Sequence, residues 1–187
     1  MLVEKFWLFE ISSPVRRVVG MTAGRAPAGP VDEKLERVRE IDRKMGTVSQ
    51  VFDARGIAGK EHLAHASRLA ILAHSGGFNF AESLSIELLC WAAAERQIRK
   101  AFDKVGIRRD SEEVAVVSIG HGAAEVSAAI RAILHELVIG VDEEVLDLTP
   151  SKTLHIAKVF GLPRAMVEMF GVKKLVLERV ALLALKR

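Results

Sequence analysis

The chain contains a glycine-flanked histidine that could help to bind an anion. Gly120, His121 and Gly122 follow the β-branched run VAVVSI at 114–119 and precede a helical pattern. Backbone N–H groups at such a strand-to-helix turn can hold a phosphate. The spacing of nucleotide-binding loops is missing, because neither G-x-x-x-x-G-K-[ST] nor the third glycine of G-x-G-x-x-G is present. Turn glycines are the more common explanation, so a phosphate- or nucleotide-binding small enzyme that uses Gly120–Gly122 is the alternative hypothesis.

Two histidines and a carboxylate share the start of a predicted helix and could bind a metal ion. Glu61, His62 and His65 give E-H-x-x-H, whereas zinc proteases carry H-E-x-x-H, and no third ligand is evident. We therefore expect polar surface histidines, or histidines that touch a partner. No serine stands in a G-x-S-x-G elbow. The sequence predicts a non-catalytic protein with no metal and no cofactor.

Positive charge is concentrated in the segment 95–105 and could contact phosphates. Arg96, Lys100 and Lys104 are spaced by four, which places them on one side of a helix, and Arg99 lies nearby. The opposite, buried side of this helix would be formed by Ile98, Ala101, Phe102 and Val105. Arg and Lys contacts to phosphates depend little on base sequence, so the stripe suits nucleic-acid binding. A solvated helix face would look the same, and a charge stripe alone favours that explanation. With no tyrosine and two tryptophans, the composition offers little for base stacking.

The elements that would position these residues indicate an α+β fold. We expect a small, mostly antiparallel sheet of about four strands packed with six or seven helices, because strands and helices do not alternate regularly. The predicted strands cover about 5–11, 15–21, 48–54 and 114–119. The predicted helices cover about 32–45, 60–73, 84–94 and 95–105, with others after 122, 150 and 163. Asn79 and Glu82 have the spacing of a capping box for the third of these helices.

Length and composition favour one globular domain in the cytoplasm. With 187 residues, half of them hydrophobic, the chain can bury a core, and we expect a single domain over 1–187 with an exposed Gly/Pro loop at 24–30. The net charge of +3 permits nucleic-acid contact without implying it. The single cysteine, Cys90, is expected to be a buried thiol in a reducing compartment. The apolar stretch 6–9 is too short for a signal peptide, and no run approaches the ~20 residues of a membrane span, so neither secretion nor membrane insertion is expected.

Four stretches of the chain, in this order, resemble one protein family. They are VFDARGIAGKEHL at 51–63, NFAESLSIELL at 79–89, RQI at 96–98 followed by KA at 100–101, and ERVALL at 178–183. The family is the small kinase-binding, tRNA-binding subunit of the KEOPS tRNA-modification complex, the PRPK-binding protein family, and the chain looks like its archaeal type. The resemblance runs from about residue 48 to the end of the chain.

The resemblance implies a mixed α/β fold without a catalytic site of its own. It implies an accessory subunit that binds the atypical kinase/ATPase subunit of KEOPS and recruits tRNA through its unpaired 3′ CCA end, while another subunit places threonylcarbamoyl on the adenosine next to the anticodon. Together with the basic segment, it gives these expected RNA-binding residues: Lys60, His62, Asn79, Arg96, Gln97, Arg99, Lys100 and Lys104. The expected kinase-binding residues are Ile86, Leu89, Val180 and Leu183. Core packing is the more common role for any one apolar residue of this kind, and a protein-interaction module without an RNA role is a third hypothesis.

Overall fold

The structure, a computed structural model, describes residues 6–12 and 15–185. Five strands and eight α-helices occur within these residues. In chain order they are β1 (Trp7–Ile11), β2 (Arg17–Arg25), α1 (Val31–Met45), β3 (Val48–Asp53), α2 (Lys60–Gly76), α3 (Leu84–Ala93), α4 (Ile98–Val105), β4 (Glu113–Gly120), α5 (Ala123–Glu136), β5 (Gly140–Val141), α6 (Pro150–Val159), α7 (Arg164–Phe170) and α8 (Val172–Leu182). The α+β class predicted from the sequence is confirmed.

The chain divides into two compact units. The first comprises the chain up to Ala54 together with Ile107–Val145, and the second comprises Arg55–Gly106 together with the chain from Leu146 onward. The single domain expected over residues 1–187 stays a prediction.

The first unit contains the sheet, whose described strands all pair antiparallel in the order β1-β2-β4-β3. The β-branched strand β4 lies between β2 and β3, as its apolar run predicts, because a strand with neighbours on both sides has little solvent-exposed surface. The additional strand β5 pairs with the end of β2 and has two residues, which is too short for a periodic pattern in the sequence. The predicted turn at 12–14 and the start of the predicted first strand lie partly outside the described residues.

Two helices of the first unit cover the sheet and complete its core. On α5, Val126, Ile130 and Ile133 are fully buried, which confirms the apolar face predicted for this helix. The largely charged helix α1 contributes Val38 and Ile41 to the same core. Its remaining side chains are mostly solvated, as the thin apolar stripe predicts.

The Gly/Pro loop expected at 24–30 is shorter than the sequence suggested. Strand β2 extends through Arg25, and Ala26 is buried, so the exposed segment begins at Pro27. Gly24 is required where β5 approaches, because a Cβ at this position would lie 2.1 Å from the carbonyl oxygen of Gly140.

The second unit is helical and is organised around α3. Seven consecutive residues of this helix are buried, Glu87 to Ala93, which explains why its sequence is apolar nearly all round. The buried thiol expected for Cys90 is confirmed. The N-cap of α3 is Ser83, whose hydroxyl accepts the Ile86 N–H at 3.3 Å, so the capping box predicted from Asn79 is wrong. None of the described helices is long and apolar enough to cross a membrane.

Candidate functional site

The basic segment of the second unit begins as non-helical chain and becomes helical only at α4. Helix α3 ends at Ala94, whose φ of 50° lies in the left-handed region, and Gln97 is the extended N-cap of α4. Arg96 therefore precedes the helix instead of sharing a helical stripe with Lys100. Ile98, predicted on the buried face, is 44% exposed because it is the first residue of α4. Ala101 and Val105 are buried as predicted, and Phe102 is half-buried.

Three cations and one amide of the predicted RNA-binding set are exposed in this segment. They are Arg96, Arg99, Lys100 and Gln97. Asn79 is also exposed, and its Nδ2 donates to the carbonyl oxygen of Ala81 at 2.8 Å. Lys60 is exposed at the first position of α2.

Lys104 was predicted to belong to the exposed stripe, and this is wrong because its ammonium pairs with groups of the second unit. Its side chain is only 24% exposed, and Nζ lies 3.4 Å from the carboxylate of Glu95 and 3.3 Å from the carbonyl oxygen of Ala93. The same ammonium stands 5.7 Å from the centre of the Phe160 ring. Burial opposes ionisation of Glu95, but the N–H of Gln97 and the ammonium of Lys104 hold its pKa below the ordinary value. Lys104 is therefore an internal partner of Glu95 and does not belong to the exposed cations.

Arg96 forms the outer layer of a stack of three side chains. Its guanidinium lies 4.6 Å from the centre of the Phe80 ring. The half-buried Phe80 ring in turn lies 5.4 Å from the ring of Trp91, with the two planes tilted by 32°. Trp91 is 1% exposed, so the stack extends from the interior of the second unit to its surface.

A fully buried carboxylate, Glu87, holds the base of this stack in place. One oxygen accepts the indole N–H of Trp91 at 2.8 Å. The other accepts the backbone N–H groups of Phe80 and Ala81 at 2.7 and 2.8 Å. Three charge-assisted hydrogen bonds satisfy this buried acid and fix the loop that carries Phe80 against α3. Sequence reasoning missed Glu87, although an acid between Ile86 and Leu88 in an apolar helix is a signal that a buried partner exists.

His62, predicted to contact RNA from the surface, is a core residue. It is 0% exposed; Nδ1 accepts the Ala58 N–H at 3.1 Å and Nε2 lies 2.8 Å from the carbonyl oxygen of Ala92. Both ring nitrogens are thus engaged, so His62 is available neither to RNA nor to a metal ion. Burial is the main reason that its pKa falls from 6.5 to about 4. Helical spacing from His62 to the buried Ala66 and Ala70 could have revealed this position.

The glycine turn of the first unit already contains an anion of its own. The carboxylate of Glu125 accepts the backbone N–H groups of His121 and Gly122, the latter at 2.9 Å. These two bonds lower the pKa of Glu125. A phosphate would have to displace this carboxylate, which disfavours the nucleotide-binding alternative. Among the described residues, no group of three or more His, Cys, Asp or Glu side chains could hold a metal ion.

One protein family matches most of the chain. The model of the family described as "Kinase binding protein CGI-121" matches residues 33–184. The chain belongs to the CGI-121 family. A search of curated proteins finds no match to the chain. The match confirms the resemblance at the level of this kinase-binding family, and the archaeal type stays a prediction.

Three of the four kinase-binding residues predicted for this CGI-121 family member belong to the core. Leu89, Val180 and Leu183 are each 0% exposed. Their packing explains their apolar character, so they are not available to a partner. Ile86 is half-buried in the first turn of α3 and is the remaining candidate.

The exposed apolar side chains of this CGI-121 family member are concentrated elsewhere in the second unit. Helix α7 has no buried residue, and Met166, Met169 and Phe170 are 40%, 71% and 46% exposed. Their spacing of three and four places them on one face of the helix. Sequence reasoning did not find this face, because a short helix with apolar residues suggests core packing.

Proposed function

We propose that this protein is a non-catalytic accessory subunit of the KEOPS complex, which acts in the cytoplasm in tRNA threonylcarbamoyl-adenosine modification. It binds the atypical kinase/ATPase subunit and recruits tRNA through the unpaired 3′ CCA end. The kinase part of this proposal is supported by the family to which the chain belongs. The tRNA part is supported by one observation, the group of exposed side chains that comprises Arg96, Gln97, Arg99 and Lys100 beside the loop of Asn79.

The chemistry of this exposed group suits an RNA terminus. Arg and Lys contact phosphates irrespective of sequence, and the bases of an unpaired tail are accessible to amide side chains such as those of Asn79 and Gln97. Arg96, Arg99 and Lys100 lie within five consecutive positions, where successive phosphates of one short strand can reach them. Affinity should therefore fall with salt, with a slope of about −0.7 per phosphate neutralised.

The tRNA proposal is tested by reversing two of these charges. In Arg96→Glu with Lys100→Glu, we expect an unchanged fold, because both side chains are exposed, and much weaker binding of intact tRNA. The matched control is Lys174→Glu with Arg179→Glu, which makes the same charge change at two exposed positions of α8. Removing the CCA end from the tRNA should weaken binding to the wild type and have little further effect on the first variant. Equal affinities of both variants and the wild type at low salt would contradict the proposal.

The kinase-binding surface is proposed to include the exposed apolar face of α7 and to extend to Ile86. Interfaces depend on a few large apolar side chains that become fully desolvated, and Met169 and Phe170 have the required exposure. Because α7 has no buried residue, substitutions on this face leave the core intact.

Binding of the purified kinase subunit by calorimetry tests this surface. Met169→Glu should weaken binding by about thirtyfold, the effect of losing one interface hot spot of about 2 kcal/mol. Leu154→Glu on α6 is the matched control, since Leu154 is 69% exposed and Met169 is 71% exposed. Ile86→Glu should weaken kinase binding while the protein remains folded. If Met169→Glu and Leu154→Glu both bind as the wild type does, α7 is not the kinase surface.

A further inference from the structure

The stack of Trp91, Phe80 and Arg96 has one buried end and one exposed end. Trp91 is enclosed in the second unit, while Arg96 is exposed and its guanidinium carbon lies over the Phe80 ring, 4.6 Å from the ring centre. The side of the guanidinium that is not covered by Phe80 is therefore open to a ligand. Nucleobases in single-stranded RNA stack on guanidinium planes as well as on aromatic rings. The exposed end of the stack therefore has the chemistry of a base-binding surface.

We propose that one unpaired base of the bound RNA stacks on the outer face of the Arg96 guanidinium and extends the stack to four layers. This inference rests on the proposed RNA-binding function and assigns to one of its residues a role other than phosphate neutralisation. The ligand is an unpaired nucleobase of any type, because every base has a π-face. The structure thus provides a stacking surface that a composition without tyrosine does not suggest.

The stack is organised before any ligand arrives. Glu87 fixes both Trp91 and the backbone of Phe80 through three hydrogen bonds. Phe80 then provides a contact that restricts the Arg96 side chain, which would otherwise lose more rotational freedom on binding. A side chain that is already restricted lowers the entropic cost of stacking a base on it. Glu87 and Phe80 are accordingly positioning residues for the Arg96 surface.

Arg96→Lys separates stacking from charge, because lysine keeps the positive charge and loses the planar group. Arg99→Lys is the matched control at an exposed arginine of the same segment. The probe is a fluorescently labelled single-stranded RNA that ends in CCA, measured by anisotropy at several salt concentrations. A second set of probes carries one abasic nucleotide at each of the terminal positions in turn.

In the wild type, we expect one of the abasic probes to bind about fivefold or more weakly than the parent RNA, as loss of one stacked base implies. Arg96→Lys should weaken binding of the parent RNA by a similar factor without changing the salt slope. The same abasic change should not weaken RNA binding by Arg96→Lys any further. Arg99→Lys should bind the parent and abasic RNAs with the affinities of the wild type.

Two results would overturn the stacking inference. The first is wild-type affinity in Arg96→Lys, and the second is an abasic penalty that is equal in the wild type and in Arg96→Lys. If Arg96→Glu with Lys100→Glu weakens tRNA binding while Arg96→Lys does not, only the stacking inference fails. If the charge-reversal variant also has no effect, the RNA-binding function itself fails.

Discussion

The buried His62 should make the stability of the second unit depend on pH. The accepted hydrogen bond from the Ala58 N–H requires an unprotonated Nδ1, so the proton of the neutral ring lies on Nε2 and points at the Ala92 carbonyl. A second proton on Nδ1 would face the Ala58 N–H and break that bond. Burial, together with the nearby charges of His65 and Lys152, therefore keeps the pKa of His62 at about 4.

The size of the effect follows from the difference between the folded and unfolded pKa values. The pKa of His62 is about 4 in the folded protein against 6.5 for an unperturbed imidazole. Below pH 6.5 the unfolded chain takes up a proton that the folded chain refuses, so stability falls as the pH is lowered and the loss is complete near pH 4. At about 1.4 kcal/mol per pKa unit, the free energy of unfolding should fall by about 2.5 kcal/mol between pH 7.5 and pH 4.5 from this residue alone.

Urea denaturation at the two pH values, followed by the fluorescence of Trp91 in a Trp7→Phe background, measures this loss in the second unit. Other groups also titrate in this range, so the comparison is with His62→Gln, whose amide does not titrate. At pH 7.5 the variant should have a lower free energy of unfolding than the wild type. Between pH 7.5 and pH 4.5 its free energy of unfolding should fall by about 2.5 kcal/mol less than that of the wild type. His74→Gln, an exposed position on the same helix, is the control and should follow the wild type. An identical loss in the wild type and in His62→Gln would refute the reasoning.

Four further outcomes are expected from individual side chains. Glu87→Gln should lower the free energy of unfolding by about 3 kcal/mol in chemical denaturation, because one of three buried N–H donors loses its acceptor and the charge that strengthens the others is removed. Cys90 should react with a thiol reagent only after unfolding, since burial first, and neighbouring carboxylates second, raise its pKa to about 11; rapid labelling of the native protein would contradict this. Gly24→Ala should cost about 1–3 kcal/mol in thermal unfolding, because the added Cβ collides with backbone; an unchanged Tm would show that β5 moves freely. In tRNA binding, Lys100→Gln should reduce the salt slope by about 0.7, whereas Lys104→Gln should leave it unchanged; equal effects would place both side chains at phosphates.

The parts of the fold that were predictable are those where one periodic pattern coincides with one element. The apolar face of α5 and the β-branched run of β4 each determine both an element and its buried side. The break after α3 was predicted at the right place, but the non-helical residues 95–97 were not, because the chain turns at Ala94 in the left-handed region, where glycine or asparagine is the usual sequence signal. The predicted helical stripe failed at this point, because Arg96 precedes α4 and the partly buried Lys104 pairs with Glu95.

The candidate site was predictable in composition but only partly in geometry. The basic segment was identified correctly as an exposed group, since three of its four predicted cations are solvated. Leu89 and Val180 were misassigned to an interface, because an apolar residue on a helix gives the same signal in a core as at a surface. His62 was assigned to the surface although it is buried, because a titratable side chain is usually exposed to solvent. The buried residues that share its helical face would have indicated its position. The stack under Arg96 depends on contacts between α3 and a loop, which no spacing rule contains.

The carboxylate of Glu125 affects whether small anions can bind at the glycine turn. The Glu125 carboxylate is tethered three and four residues from the two amides that it occupies, so its binding to them is intramolecular and does not depend on the concentration of a free anion. The turn is therefore closed to competitors by its own chain, even though its backbone has the shape of an anion-binding loop. Free phosphate or a nucleotide would have to compete at this turn with a group of the protein itself.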